Sequence, residues 1–221
     1  MIDHLVLATD DLERAVATIS DRWGVTPTPG GAHVGHGTRN ELVAIGDGAY
    51  LEIIGPDLAQ VDHRSGRPFG VDGRAGDRLA AWCSRVDVDV DLESAAAAAR
   101  QLGHDLGPIT SMSRRRPDGV LLEWRLTVPP ALGPRPNSES DEPVVLPFLI
   151  DWLRSEHPTM SLQHPVELID LQLHSARPDV VRAVIESIGG DRRLSVHDSG
   201  GDRPRLVAHL RTPAGQVTLS G

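Results

Sequence analysis

The strongest constraint on this chain is that it repeats itself. The stretch "DHLVLATDDLERAV", residues 3–16, lies without a gap over "LQLHSARPDVVRAV", residues 171–184, and shares with it Asp11 against Asp179 and the triplet Arg-Ala-Val. The hairpin ends match as well, with "GAYLEIIG" over "AGQVTLSG". A repeated supersecondary unit buries its apolar face against its neighbours, so repetition narrows the fold to architectures made by joining one kind of unit. Residues Ile2 to Ala8 alternate like a strand. Asp10 or Asp11 then offers an N-cap, and Leu12, Ala15, Val16 and Ile19 fall at helical spacing up to Trp23 and Gly24. A loop rich in Gly, Pro and Thr follows, after which "ELVAIG" and "AYLEIIG" flank Asp47-Gly48, a hairpin signal.

The same order returns twice. "RLAAWCSRV" reads as a strand, "DLESAAAAARQLG" as an alanine-rich helix ended by Gly103, and "GVLLEWRLTV" and "VLPFLIDWL" as later strands. "LIDLQLHS", the helix "PDVVRAVIESIGG" and the hairpin "RPRLVAHLRTPAGQVTLSG" complete the third copy. The pattern predicts an α+β protein of three βαβββ-like units, near residues 1–56, 78–158 and 166–221. Curved mixed sheets with helices on their outer faces are expected, the first two units pairing around a cleft. Residues 57–77 and 131–143 read as loops. Three is an odd number for units that pair, so the third is expected either to pack on the outer edge of the pair or to meet its copy in another chain. A homodimer is the expectation.

Composition excludes several classes. A formal net charge of -9 argues against phosphate-backbone binding, so no nucleic acid partner is expected. Cys83 is the one cysteine, which leaves no intrachain disulfide and makes a reducing cytoplasm the default. No apolar run is long enough to span a bilayer and no signal segment is visible, so no membrane association is expected. Lysine is absent and all 22 basic residues are arginine, which removes Schiff-base and phosphate-loop lysines. With no Gly-x-Gly-x-x-Gly after a strand, no Gly-x-Ser-x-Gly and no Cys-x-x-Cys, no nucleotide cofactor is expected.

"IDHLVLATDDLERAV" followed by "GTRNELVAIGDGAYLEIIGP" resembles the glyoxalase-like branch of the vicinal oxygen chelate superfamily, and "SRRRPDGVLLEWRL" with "LPFLIDW" resembles the second half of that family. The resemblance covers most of residues 1–158. It implies paired βαβββ units in which the first and last strands are neighbours, and it makes His4 and Glu52 metal ligands on adjacent strands. Imidazole and carboxylate suit a divalent first-row metal, which would hold vicinal oxygens of a substrate. The bland alternative is a His–Glu hydrogen bond inside a core. The superfamily holds isomerases, ring-cleaving dioxygenases, thiol transferases and metal-free drug-binding proteins.

The second half of such a site is not legible. Strict alternation puts Ile2, His4 and Val6 on one face. By analogy His4 corresponds to Ser84 or Trp82, and Glu52 to about Ile150, none of them a good ligand. The third unit offers Gln172 and Thr218 at the same places. His33 and His36 in "GAHVGHGTRN" could fill the gap, and His63 could cover the cleft. Arg39 and Asn40, with Thr38, resemble a family segment that orients a polar substrate; a turn stabilised by Asn40 is the alternative. Of Arg114, Arg115 and Arg116, Arg115 is the expected clamp for an anionic group. Trp82, Trp124 and Trp152 are candidates to wall a small-molecule pocket, with at least one of them expected to pack in the core instead. Cys83 is expected to be a buried inert thiol. Two functions remain open: an enzyme of metal-assisted lyase, isomerase or dioxygenase type, with Glu52 catalytic, or a metal-free small-molecule binding protein.

Overall fold

Asp11 caps the first helix as its sequence position requires: its carboxylate accepts from the Arg14 amide at 3.0 Å. Gly24 ends the helix in the left-handed region at φ 70°, where a Cβ would be penalised. Between them α1 (Leu12–Trp23) buries Leu12, Ala15, Ile19 and Trp23 along one stripe. In this computed structural model the described residues are 1–61, 66–72, 76–86, 90–116, 118–129, 145–163 and 165–221. The expectations for His63 and for 131–143 lie outside them.

The element order realises βαβββ three times. The first unit is β1 (Ile2–Ala8), α1, β2 (Thr28–His33), β3 (Thr38–Ala44) and β4 (Tyr50–Pro56). The second is β5 (Arg78–Arg85), α2 (Leu92–Gln101), β6 (Ile109–Arg115), β7 (Leu121–Thr127) and β8 (Phe148–Asp151). The third is β9 (Glu167–Ser175), α3 (Pro178–Ser187), β10 (Leu194–Asp198), β11 (Arg205–Thr212) and β12 (Gly215–Ser220). β2 was expected as loop. It carries Pro29, Gly30 and Gly31, and it is an edge strand, where a proline does not interrupt a ladder on both sides.

Units one and two share an eight-stranded sheet of order β2-β3-β4-β1-β5-β8-β7-β6. In each, first and last strands pair in parallel, β1 with β4 and β5 with β8, and β1 runs antiparallel to β5 where the units join. The sheet curls until its two edges approach: a Cβ on Gly31 of β2 would stand 3.3 Å from the Arg115 carbonyl of β6. The result is an α+β fold of mixed, curved, nearly barrel-shaped sheet with helices outside.

The third unit keeps the element order and changes the strand order. Its sheet runs β10-β9-β11-β12, so β9 lies between β10 and β11 and is not a neighbour of β12. Gln172 therefore pairs with Ser195 and Val207, while Thr218 pairs with His209. Gln172 and Thr218 therefore do not meet from neighbouring strands as His4 and Glu52 do. Leu168, Leu171, Leu173, Leu206 and Leu210 instead pack this sheet as a layer onto Ile2, Leu5, Leu7, Leu51 and Ile53 of the first. Asp191 fastens the layer, accepting from the Ile2 amide at 2.8 Å and from the Arg193 guanidinium at 2.8 and 2.9 Å.

Strict alternation fails at the start of β1. Ile2 pairs with Ser84 and His4 with Cys83, so Asp3 is an extra residue, a β-bulge. Ile2 consequently joins Leu5 and Leu7 in the core shared with the third unit, and only His4, Val6 and Ala8 face the other way. The bulge re-aims Asp3 and His4 together, which decides the chemistry of the site.

Candidate functional site

Alternate residues of seven strands line a cavity of about 160 Å³ on the concave face of the eight-stranded sheet. β1 supplies His4, and β4 supplies Tyr50, Glu52 and Ile54. The outer strands of the first unit add His33, Thr38 and Asn40. The second unit contributes Met112 and Arg114 from β6, Trp124 and Leu126 from β7, and Phe148 and Ile150 from β8. Trp152, Phe69 and His36 complete the wall. The first unit is thus the polar half and the second the apolar half, apart from Arg114.

Glu52 is the centre of the polar half, with its side chain 9% exposed. Its Oε1 accepts from Asn40 Nδ2 at 2.6 Å and lies 3.6 Å from His33 Nε2; its Oε2 lies 3.8 Å from His4 Nε2. The Asn40 amide is oriented by its other end, because Oδ1 accepts from Arg114 at 2.8 Å. Behind His4, the bulged Asp3 is fully buried. Its Oδ1 faces His4 Nδ1 at 2.7 Å, and its Oδ2 accepts from Trp152 Nε1 at 3.0 Å and faces His157 Nε2 at 3.1 Å. Burial pushes the Asp3 carboxyl up, but hydrogen bonds and charge from His157 and His4 prevail and hold it well below the usual carboxylate range.

A carboxylate only accepts, so the Asp3 contact places a proton on His4 Nδ1 and turns the Nε2 lone pair toward Glu52 when the ring is neutral. Burial, with Arg114 adding to it and Glu52 opposing, lowers His33 to about 4, which leaves its ring neutral at pH 7. His33 Nδ1 stands 3.0 Å from Thr38 Oγ1, and the Asn40 amide points at Nε2 from 3.4 Å. That arrangement makes Nε2 the acceptor. His33 Nε2 and His4 Nε2 thus stand 3.6 and 3.8 Å from the two Glu52 oxygens, with the Asn40 amide already engaging the His33 side. Ligands held about 2.1 Å from one ion stand about 3 to 3.5 Å apart, and the donor atoms of His4, His33 and Glu52 do not all come within 4.8 Å of one another, so a cation among these three requires their side chains to shift. Asp3, His4 and Cys83 do bring donor atoms within 4.8 Å of one another. That trio sits behind His4. The Asp3 oxygens are already engaged, and burial pushes the Cys83 thiol well up, so Cys83 stays protonated.

Of the residues expected in the site, the cavity brings together His4, Asn40, Glu52, Trp124 and Trp152, the last two with ring centroids 5.4 Å apart. Arg39 turns to the opposite face of β3 and pairs with Glu13. Arg115 is exposed and donates to the Gly119 carbonyl at 2.7 Å, while Arg114, two residues from Met112, points inward. Trp82 alternates with Cys83 and so faces the other core, donating to the Val145 carbonyl at 2.8 Å. Across the join between the units His4 pairs with Cys83 and Ile2 with Ser84. Asp3 and His157 were not anticipated. For Asp3 a signal existed, a carboxylate inside an apolar strand beside the histidine.

Two βαβββ units joined edge to edge, with an imidazole and a carboxylate meeting from parallel neighbouring strands over a cavity, define a vicinal oxygen chelate protein. The chain belongs to the glyoxalase-like domain family of that superfamily: the family model described as "Glyoxalase-like domain" matches residues 2–189. Among solved structures, a hypothetical protein from Staphylococcus aureus is similar at 16% identity and a TM-score of 0.59, with 92% of this chain and 87% of that one covered. Methylmalonyl-CoA epimerase from Mycobacterium tuberculosis is similar at 19% identity, a TM-score of 0.39, and 67% and 84% coverage. The Mn(II)-bound glyoxalase from Novosphingobium aromaticivorans is similar at 12% identity, a TM-score of 0.45, and 99% and 81% coverage. No curated protein matches this chain.

Proposed function

We propose that this chain is an enzyme that moves a proton on a small oxygenated molecule, with Glu52 as the base. His4 and Glu52, with His33 after a side-chain shift, would hold a divalent cation. The observation that carries this reading is one buried carboxylate, Glu52, lining the cavity with a histidine nitrogen within 4 Å of each of its oxygens. A bound metal would supply Lewis-acid polarisation of a substrate oxygen. The chain's own residues do the rest. Asp3 fixes the His4 ring, Asn40 holds Glu52 and fixes its orientation, and the second unit's aromatic wall excludes water around the apolar part of the substrate. A carboxylate in such a setting takes a proton from carbon next to a carbonyl or carboxyl group, which is isomerase or lyase chemistry rather than oxygen insertion.

A second reading, metal-free binding, is favoured by the other half of the cavity. Ile150, which corresponds by analogy to Glu52, is apolar, and Phe148 and Trp124 line the same half of the cavity. Exchange of the C2 proton of mandelate for solvent deuterium, followed by NMR with and without Mn²⁺, separates the two. The enzyme reading expects exchange that Glu52→Gln lowers by roughly 10²–10⁴. Binding of mandelate without any exchange sinks it and leaves the binding protein.

A further inference from the structure

The cavity contains one charged group that the chemistry above does not use. Arg114 is 6% exposed, and it is the only arginine that lines the cavity among the described residues. Its Nη1 donates to Asn40, a neutral amide. Its Nε is buried with no hydrogen-bond partner, and among the described residues no carboxylate lies within 4.0 Å of the guanidinium. Every other arginine of the second unit's β6–β7 region has such a partner or lies in solvent: Arg116 pairs with Asp118, Arg125 with Glu93 and Asp151, and Arg115 is exposed. A buried guanidinium without an anion is expensive, and a fold tolerates one where a ligand completes it.

The surroundings are arranged to keep Arg114 in place. It sits at the seam where β6 meets β2, and its side chain lies across Gly30 and Gly31. A Cβ on Gly30 would stand 2.6 Å from Nη1, and one on Gly31 would stand 3.2 Å from Cδ. The two glycines that made β2 read as loop are the floor on which the arginine rests. Around it the wall is flat and apolar, with Trp124 and Trp152 tilted 5.4 Å apart and Phe69 and Phe148 at 6.1 Å. A cavity of this size, about 160 Å³, takes a body of benzene dimensions.

From this geometry we infer that Arg114 is the anchor for a carboxylate on the ligand, and that the site selects a small aromatic or similarly flat acid carrying one negative charge. One charge is specified because Glu52 lies one amide away from Arg114, so a dianion would gain a cation and meet an anion. This rests on the cavity being the ligand site, and it does not require the metal. An incoming carboxylate would meet the guanidinium on the side turned to the cavity, while Asn40 keeps Nη1.

The experiment is calorimetric titration of the full chain with benzoate and with benzamide, its uncharged isostere, for wild type, Arg114→Met and Arg114→Lys, each with and without EDTA. Thermal melts of the same samples establish that the variants are folded. Wild type is expected to prefer benzoate by roughly tenfold or more, the worth of a charge-assisted pair. Arg114→Met is expected to bring the two ligands within about twofold of each other by weakening benzoate alone, and Arg114→Lys to keep part of the preference. EDTA is expected to change none of these ratios. The inference falls if wild type shows no preference or binds neither ligand. It falls equally if the preference survives in Arg114→Met or disappears with EDTA, which would assign the carboxylate to a metal. Loss of metal binding or of proton exchange with the preference intact would overturn the proposed catalysis and leave the anchor standing.

Discussion

Replacing Asp3 by Ala removes the acceptor for three donors at once. His4 Nδ1, Trp152 Nε1 and His157 Nε2 stand 2.7, 3.0 and 3.1 Å from its oxygens, in a position with no solvent exposure. Each buried donor left without a partner costs about 1–3 kcal/mol, which sets a floor of about 3 kcal/mol for the three together. For a chain of this length that corresponds to a fall in melting temperature of at least roughly 6–12 °C. Asp3→Asn keeps one carbonyl acceptor and presents an amide hydrogen to another donor, so its loss is smaller, about 1–3 kcal/mol. Differential scanning calorimetry of wild type and both variants at neutral pH is the assay. An Asp3→Ala melting temperature within about 2 °C of wild type would refute the view that the bulged carboxylate organises this side of the cavity.

Two other outcomes follow from local geometry. Burial raises Asp191, but its bonds from Arg193 and the Ile2 amide bring it down to about 2, so the group stabilises the fold above the unfolded carboxylate value and that contribution is lost as pH falls from about 4 through 2. Asp191→Asn is expected to lower stability at pH 7 and to flatten the dependence over that acid window in urea titrations; an unchanged slope would contradict the fastening role. Gly30→Ala would bring a Cβ to 2.1 Å from Asn40 Oδ1 and 2.6 Å from Arg114 Nη1, so it is expected to weaken benzoate binding by roughly tenfold while leaving benzamide nearly unchanged. A crystal structure of that variant with Asn40 and Arg114 unmoved would contradict it.

What was legible in the sequence followed from period and punctuation. β1, α1 with its Asp11 and Gly24 caps, and the β3–β4 hairpin around Asp47-Gly48 stand where alternation, helical spacing and turn residues put them. His4 and Glu52 could be placed together only through the family resemblance, which makes the first and last strands of a unit neighbours, as β1 and β4 are. What escaped was set by single-residue shifts and by tertiary layering. The bulge at Asp3 reverses the parity of Ile2, and no local pattern announces it. The same parity decides between Arg114 and Arg115, and Met112 is the one apolar marker near them on that strand. It also decides between Trp82 and Cys83. β2 hides behind Pro29, Gly30 and Gly31, residues that an edge strand accepts and that Arg114 needs for its approach. The third unit repeats the spacing of the first, yet its leucines face a shared core instead of a cavity, and its strand order follows that layer.

In the proposed function His4, Glu52 and His33 would together hold one cation. Mn²⁺ titration of the full chain, with free ion followed by electron paramagnetic resonance, tests it most directly, on wild type, Glu52→Gln and His33→Ala. The account expects one ion per chain in wild type and binding weakened by roughly tenfold or more in each variant, since one variant neutralises the anionic ligand and the other removes a donor. Absence of binding by wild type, or binding of the same strength in Glu52→Gln, would contradict it.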